Sequence, residues 1–227
     1  MTWYDELDFV ENPFTIKPRD SINEFIGHKQ MVSQLKKAVE SNNLVLIKGK
    51  YGTGKTSVLK SLINIYRGKG KVFYYNAFSS NKELDVDSVL RKAGGFFSRL
   101  FKVKSNNVVA LIDEVHVLST EKLEDLEDAL DEGFFKSLIL VTSELDYKVP
   151  KSVQVDKEFE MNMFSEEEAH KIVMNRLVDE HKMLPKEIVR ELYYMSSTPR
   201  EFLQNCEDAC QRAIDSGRRV VKKSDIN

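Results

Sequence analysis

The stretch "GKYGTGKT" (49–56) holds three of the chain's ten glycines within six positions, then a lysine and a threonine. It fits G-x-x-x-x-G-K-[ST] at every fixed position. Glycines at that spacing let the backbone wrap closely, so that several N–H groups converge on phosphate oxygens. A helix N-terminus following directly adds partial positive charge. Lys55 is placed to reach β- and γ-phosphates, and the Thr56 hydroxyl to meet Mg²⁺. A second element, "VVALIDEVH" (108–116), ends an apolar run in two carboxylates. Asp113 suits the Mg²⁺ shell, and Glu114 suits the base that polarises a water for attack on a γ-phosphate. Phosphoryl transfer asks chiefly for positioning and charge stabilisation. Ser143, with Thr142 as the adjacent alternative, stands where a strand end would align that water. Strand alternation does not choose between them. His116 reads as a residue that caps the strand, with nucleotide sensing as the other reading. Arg200 lies in the first turn of a helix, where a cation opposes the helix dipole.

These residues need strands and helices to hold them. "NLVLIKG" (43–49), "KVFYYNAF" (71–78), the start of "NVVALIDEVHVL" (107–118), "SLILVTSE" (137–144) and "KEFEMNMF" (157–164) read as short strands. Between them, helical spacing is expected over about 29–40, 56–66, 85–101 and 121–132. Strands alternating with helices imply crossover units and a parallel sheet covered on both faces. The phosphate-binding motif falls between a strand and a helix, the context it requires. From Ser165 onward only helical patterns remain. "SEEE" (165–168) is a capping box, Pro185 suits a first helical position, and "TPRE" (198–201) combines a threonine cap, a proline and a glutamate partner. The division expected is an α/β domain over 1–163, with 1–28 a turn-rich leader, and a small helical lid domain over 164–227.

Composition bounds the rest. The charged share of 31% beside 41% hydrophobic residues describes an ordinary globular chain rather than a disordered one. No apolar run approaches the roughly 18–20 residues of a membrane span. The acidic start "MTWYDELDFVENPF" lacks a signal-peptide pattern. A cytoplasmic protein without a membrane partner is therefore expected. Cys206 and Cys210 are too few for a disulfide framework and read as small packed side chains. The formal net charge of −2 gives no support to a dedicated nucleic-acid module. DNA contact stays open through "RKAGGFFSRLFKVK" (91–104) and "GRRVVKK" (217–223), although a solvated helix face and a lid edge are the favoured reading of these stretches.

The phosphate loop, "LIDEVH", "LILVTSELDY" and "STPREF" occur in the order found in AAA+ ATPases. In detail the chain most resembles the replication-initiator branch, the origin-recognition and Cdc6-like proteins. "FIGHKQMVSQL" (25–35) resembles that branch's adenine-side box, "FSEEEAHKIVMNRL" (164–177) the entry to its lid, and "RVVKKSDI" (219–226) the lid's closing segment. The resemblance covers nearly the whole chain. It implies a P-loop NTPase fold with a helical lid, and ATP and Mg²⁺ as cofactors. Gly49 to Thr56 would be the Walker A loop, and Asp113 with Glu114 the Walker B pair. Ser143 would be the first sensor and Arg200 the second. Nucleotide contacts would come from Ile26, Gly27, Gly49, Tyr51, Gly52, Thr53, Gly54, Lys55, Thr56, Ser57 and Arg200. Catalysis would rest on Glu114, Ser143 and Lys55, and the metal on Thr56 and Asp113. It also implies self-association or another AAA+ subunit as partner.

The chain departs from the pattern in three places. Where the family carries an arginine for a neighbour's ATP, only Lys148 and Lys151 stand, and lysine lacks the planar guanidinium fork. The winged-helix domain that follows the lid in that branch is expected to be lacking. "STPR" replaces a commoner second-sensor motif but keeps Pro199 and Arg200. The reading is an ATP-hydrolysing module of initiator type acting in DNA replication or a related DNA transaction. A transposition-type regulator and a slowly hydrolysing ATP-dependent switch are the alternatives. A small-molecule kinase fits the acid pair and the helical tail poorly.

Overall fold

The computed structural model describes residues 2–17, 27–41, 43–68, 70–79, 84–86 and 108–226, the Asp179 side chain apart. The expected helix over 85–101 and the basic stretch 91–104 lie almost wholly outside these residues. The chain forms two compact units: Gln30–Tyr51 with Lys55–Met161, and Met1–Lys29 with Gly52–Gly54 and Asn162–Asn227.

The first unit is a five-stranded parallel sheet in the order β2-β3-β4-β1-β5. Its strands are β1 (Leu44–Gly49), β2 (Lys71–Asn76), β3 (Val108–Asp113), β4 (Ser137–Thr142) and β5 (Lys157–Met161). The helices are α1 (Lys29–Glu40), α2 (Lys55–Tyr66) and α3 (Thr120–Asp131). Every residue of β3 and β4 is buried, whereas the edge strands β2 and β5 are exposed or half-buried at every position but Met161. That contrast explains why the central strands read as unbroken apolar runs. Leu44, Leu46, Ile112, Leu138 and Leu140 form one core with Leu123 and Leu126 of α3. Val45, Ile47, Leu111, Ile139 and Val141 alternate to the other face and are equally buried, as are Val58, Leu59 and Leu62 of α2. Helices therefore cover the sheet as the crossover pattern requires.

Three strands end earlier than their apolar runs. β2 stops at Asn76, whose side-chain oxygen accepts the Ser79 N–H at 2.8 Å and turns the chain. β4 stops at Thr142, because the next N–H is drawn to Glu114 instead of the ladder. β5 stops at Met161.

The second unit is helical: α4 (Glu166–Leu177), α5 (Lys186–Met195) and α6 (Pro199–Asp215), with short 3₁₀ turns including Val178–Met183 and Lys223–Asp225. Ser165 and Glu168 make the expected reciprocal capping box. Thr198 caps α6 by accepting the Glu201 N–H, with Pro199 at its first position. Pro185 falls one place earlier than expected, as the N-cap of α5. Within "GRRVVKK", Arg218 makes two hydrogen bonds to Asp225, Val221 is buried and Lys223 pairs with Glu191, so much of that stretch is spent on packing. Cys206 and Cys210 are buried, and burial pushes both thiols up in pKa.

The leader was expected with the α/β domain, yet it is part of this helical unit. Trp3, Leu7 and Phe14 join Phe202, Cys206, Cys210 and Ile214 in one core. Trp3 stacks on Phe14 at 5.7 Å, and its backbone N–H donates to Gln211 Oε1 at 3.0 Å. Arg176 of α4 donates to the Pro13 and Thr15 carbonyls at 2.9 and 3.0 Å. Four aromatic rings at the leader's start, Trp3, Tyr4, Phe9 and Phe14, need apolar cover, and this helical core supplies it.

Candidate nucleotide site

In an open parallel sheet, ligands gather beyond the carboxyl ends of the strands. Here β1 ends at Gly49, β3 at Asp113 and β4 at Thr142, on adjacent or next-adjacent strands. The loop from Gly49 leads straight into α2 at Lys55. The Lys55 ammonium is buried and donates to the Gly49 and Lys50 carbonyls at 2.6 and 3.1 Å. Desolvation lowers its pKa, and the charges of Glu114 and Asp113 oppose that shift. A cation kept charged in a dry loop calls for anionic neighbours.

Asp113 is buried at the end of β3. Oδ1 accepts the Glu114 N–H at 3.1 Å, and Oδ2 accepts from Tyr74 Oη at 3.0 Å and Asn76 Nδ2 at 3.4 Å. Burial raises its pKa, and the Tyr74 hydrogen bond is the chief opposing influence. Glu114 adopts φ 54°, ψ 48°, which is uncommon for a residue with a side chain and breaks the strand direction. Its Oε2 accepts from Ser143 N at 3.1 Å and Ser143 Oγ at 2.7 Å. Of the two adjacent hydroxyls, Ser143 therefore meets Glu114. Thr142, fully buried, accepts the Glu144 N–H and lies 3.2 Å from His116 Nδ1. Thr56 is exposed at the start of α2, Ser57 is half-buried and Tyr51 is exposed.

The helical unit contains the middle of the loop. The Arg200 N–H donates to the Gly52 carbonyl at 3.1 Å, and His28 Nε2 lies 3.3 Å from the Thr53 carbonyl. Burial lowers the His28 pKa against the charge of Glu168. Thr53 is buried. Gly52 has φ +87°, and a Cβ there would lie 2.9 Å from Arg200 Cβ, so only glycine fits the cradle. Gly27 lies against Phe164 and Ile172. Ile26 lies outside the described residues. Lys148 and Lys151 are exposed in the β4–β5 connection.

The role of Tyr74 and Asn76 is new relative to the sequence reading. A signal was present: polar groups two apart on one strand share a face, and Asn76 pairs with Asp113 in register. His116 and Thr142 carried no signal that separated them from an ordinary strand end. Among the described residues, no group of three or more His, Cys, Asp and Glu side chains is arranged to hold a metal by itself. None of the described helices is long and apolar enough to cross a membrane.

Known proteins resemble this chain in sequence and fold. The RuvB subunit of the Holliday junction branch migration complex of Mycoplasma genitalium is 23% identical over 141 residues, 59% of this chain and 41% of that protein. The replication factor C small subunit of Sulfolobus acidocaldarius is 30% identical over 116 residues, 49% of this chain and 35% of that protein. The chain thus spans well under half the length of these relatives. Among solved structures, the Thermotoga maritima RuvB motor superposes with a TM-score of 0.64 at 17% identity, covering 93% of this chain and 71% of that one. Cdc6p of Pyrobaculum aerophilum gives 0.62 at 14% identity, covering 94% and 68%. These likenesses establish the shared fold. The profile of the ATPase family associated with various cellular activities (AAA) matches residues 45–166, more than half of the chain, from β1 through the acid pair to the start of α4, and the protein belongs to that family.

Proposed function

We propose that this protein binds ATP with Mg²⁺ and hydrolyses it, as an AAA+ module of initiator type acting in DNA replication or a related DNA transaction. The observation that carries the reading is the meeting of three strand ends. A buried Lys55 ammonium at the end of β1 feels the charges of Asp113 and Glu114 at the end of β3, and Ser143 at the end of β4 holds the Glu114 carboxylate.

The residues fit the nucleotide and the metal. The cradle at Gly52 admits no side chain, and Lys55 supplies a desolvated positive charge beside it in the loop. The Thr56 hydroxyl and the Asp113 carboxylate are hard oxygen donors of the kind Mg²⁺ takes. Mg²⁺, when bound, neutralises charge on the transferring phosphoryl group. Tyr74 and Asn76 orient Asp113 for that task. Ser143 keeps Glu114 directed, so that its carboxylate takes the proton of an attacking water. Lys55 stabilises the negative charge that grows on the phosphoryl oxygens. Arg200, in the first turn of α6, stands with Gly52 of the phosphate loop in the helical unit and is the nucleotide contact proposed there.

The names of the relatives, one a branch migration subunit and one a replication factor, support a DNA transaction. Self-association or another AAA+ subunit completes the site. One observation favours a second reading, a switch that hydrolyses slowly by itself: the exposed cations of the β4–β5 connection are lysines, Lys148 and Lys151. ATP turnover against protein concentration, with and without duplex DNA, tests both readings. Glu114→Gln should lose about 10²–10⁴-fold in kcat while still binding ATP. Turnover that rises with concentration or DNA supports the first reading. Tight ATP binding with negligible turnover in every condition supports the switch, and an unaffected Glu114→Gln variant removes Glu114 as the base.

A further inference from the structure

His116 lies two residues beyond the proposed base, in the 3₁₀ turn Val115–Val117. The left-handed backbone at Glu114 folds this turn back, so that the imidazole returns beside the carboxylate it follows. Nδ1 is 3.4 Å from Glu114 Oε2 and 3.2 Å from Thr142 Oγ1, and Nε2 is 3.7 Å from Glu144 Oε1. The ring is 16% exposed. It bridges the ends of β3 and β4 with an acid on either side.

Counting hydrogens sharpens this picture. Thr142 Oγ1 already accepts the Glu144 N–H at 3.1 Å and has one hydrogen to give. Glu114 Oε2 already accepts two hydrogen bonds from Ser143. If Nδ1 is bare, it takes the Thr142 hydrogen and turns a lone pair toward a carboxylate. If Nδ1 carries the hydrogen, it stands between two acceptors, Thr142 Oγ1 at hydrogen-bond distance and Glu114 Oε2 at ion-pair distance. The charge on Glu114 favours the second state. All described side-chain partners of Glu114 then meet Oε2, which leaves the lone pairs of Oε1 to accept a proton.

We infer that His116 is a positioning residue for Glu114: with hydrogen on Nδ1, it and Ser143 clamp Oε2 and so fix the direction of Oε1. Its Nε2 side faces Glu144, at the start of the β4–β5 connection. The inference rests on the reading of Glu114 as general base. A misdirected base loses rate while substrate binding persists, because a displacement of about 1 Å costs on the order of 10²-fold.

The experiment compares ATP turnover of the wild type with Glu114→Gln, His116→Ala, His116→Asn and His116→Gln, beside thermal melts and ATP affinity from a fluorescent analogue. The asparagine amide nitrogen falls where Nδ1 is and can donate to Oε2. The glutamine nitrogen falls nearer Nε2 and serves Glu144 instead. His116→Ala and His116→Gln should lower kcat about tenfold or more with KM changed less than about twofold, and His116→Asn should return to within about threefold of wild type. Wild-type kcat in His116→Ala, a His116→Asn variant as impaired as His116→Gln, or a KM that rises in step with the lost kcat overturns the inference. Should His116→Ala fail to fold, the asparagine and glutamine pair decides. A wild type without turnover, or a Glu114→Gln variant with full turnover, removes the base reading and the inference together. Intact loss in Glu114→Gln beside a normal His116→Ala removes the inference alone.

Discussion

Replacing Gly52 with alanine separates two costs that coincide in the phosphate loop. The residue sits at φ +87°, in the left-handed region. An L side chain there costs roughly 1–2 kcal/mol, offset by about 0.4–1 kcal/mol because alanine restricts the unfolded chain. The new Cβ would also stand 2.9 Å from Arg200 Cβ and 3.3 Å from Thr198 Oγ1. Arg200 Cβ is fixed by the first turn of α6 and cannot swing away as a side-chain tip would, so the loop or the helix start must shift. Overpacking of that kind costs about 1–3 kcal/mol. Gly68 is the control, because its φ is +84° but nothing lies within 4 Å of its Cβ position. Gly68→Ala should therefore lose about 1 kcal/mol or less, and Gly52→Ala about 2–4 kcal/mol, in urea unfolding. ATP affinity should fall in Gly52→Ala and hold in Gly68→Ala. Equal stability of the two variants would refute the close approach of Gly52 to Arg200 and the account of why the loop needs a glycine there.

Trp3→Ala removes a buried ring stacked on Phe14, and should cost about 3–5 kcal/mol in a denaturant titration that follows the helical unit. Asp225 is held down to a pKa of about 2, first by its hydrogen bonds to Arg218. Because its folded pKa lies below the unfolded value of about 3.9, its contribution is complete above about pH 4 and is lost as the pH falls toward 2. Asp225→Asn should accordingly melt lower than wild type at pH 7 and converge with it near pH 2, as read by thermal melts across that range.

The sheet was legible because β1, β3 and β4 are buried on both sides, and a doubly buried strand needs an unbroken apolar run. The loop was legible because its glycines and Lys55 answer to one backbone geometry. The caps at Ser165 and Thr198 were legible because a cap is local, its donor and acceptor three residues apart. The leader was not. Nothing near Trp3 in sequence announces that its partner is Gln211, and turn-forming residues on either side hide an aromatic cluster. The partners of Asp113 were half-legible, since Tyr74 and Asn76 share a strand face but register alone brings that face to β3. The choice between Thr142 and Ser143 was closed to alternation, because the strand ends between them and the next N–H leaves the ladder.

A core that joins Trp3 to Gln211 links positions 208 apart in the chain. At ribosomal speeds of about 5–20 residues per second, the leader emerges on the order of 10–40 s before α6 is finished. Throughout that interval Trp3, Phe9 and Phe14 have no permanent cover, while the sheet between them can already close. The order of synthesis thus ties the core of the helical unit to α6: its aromatic leader waits through the making of the whole sheet before its partners exist.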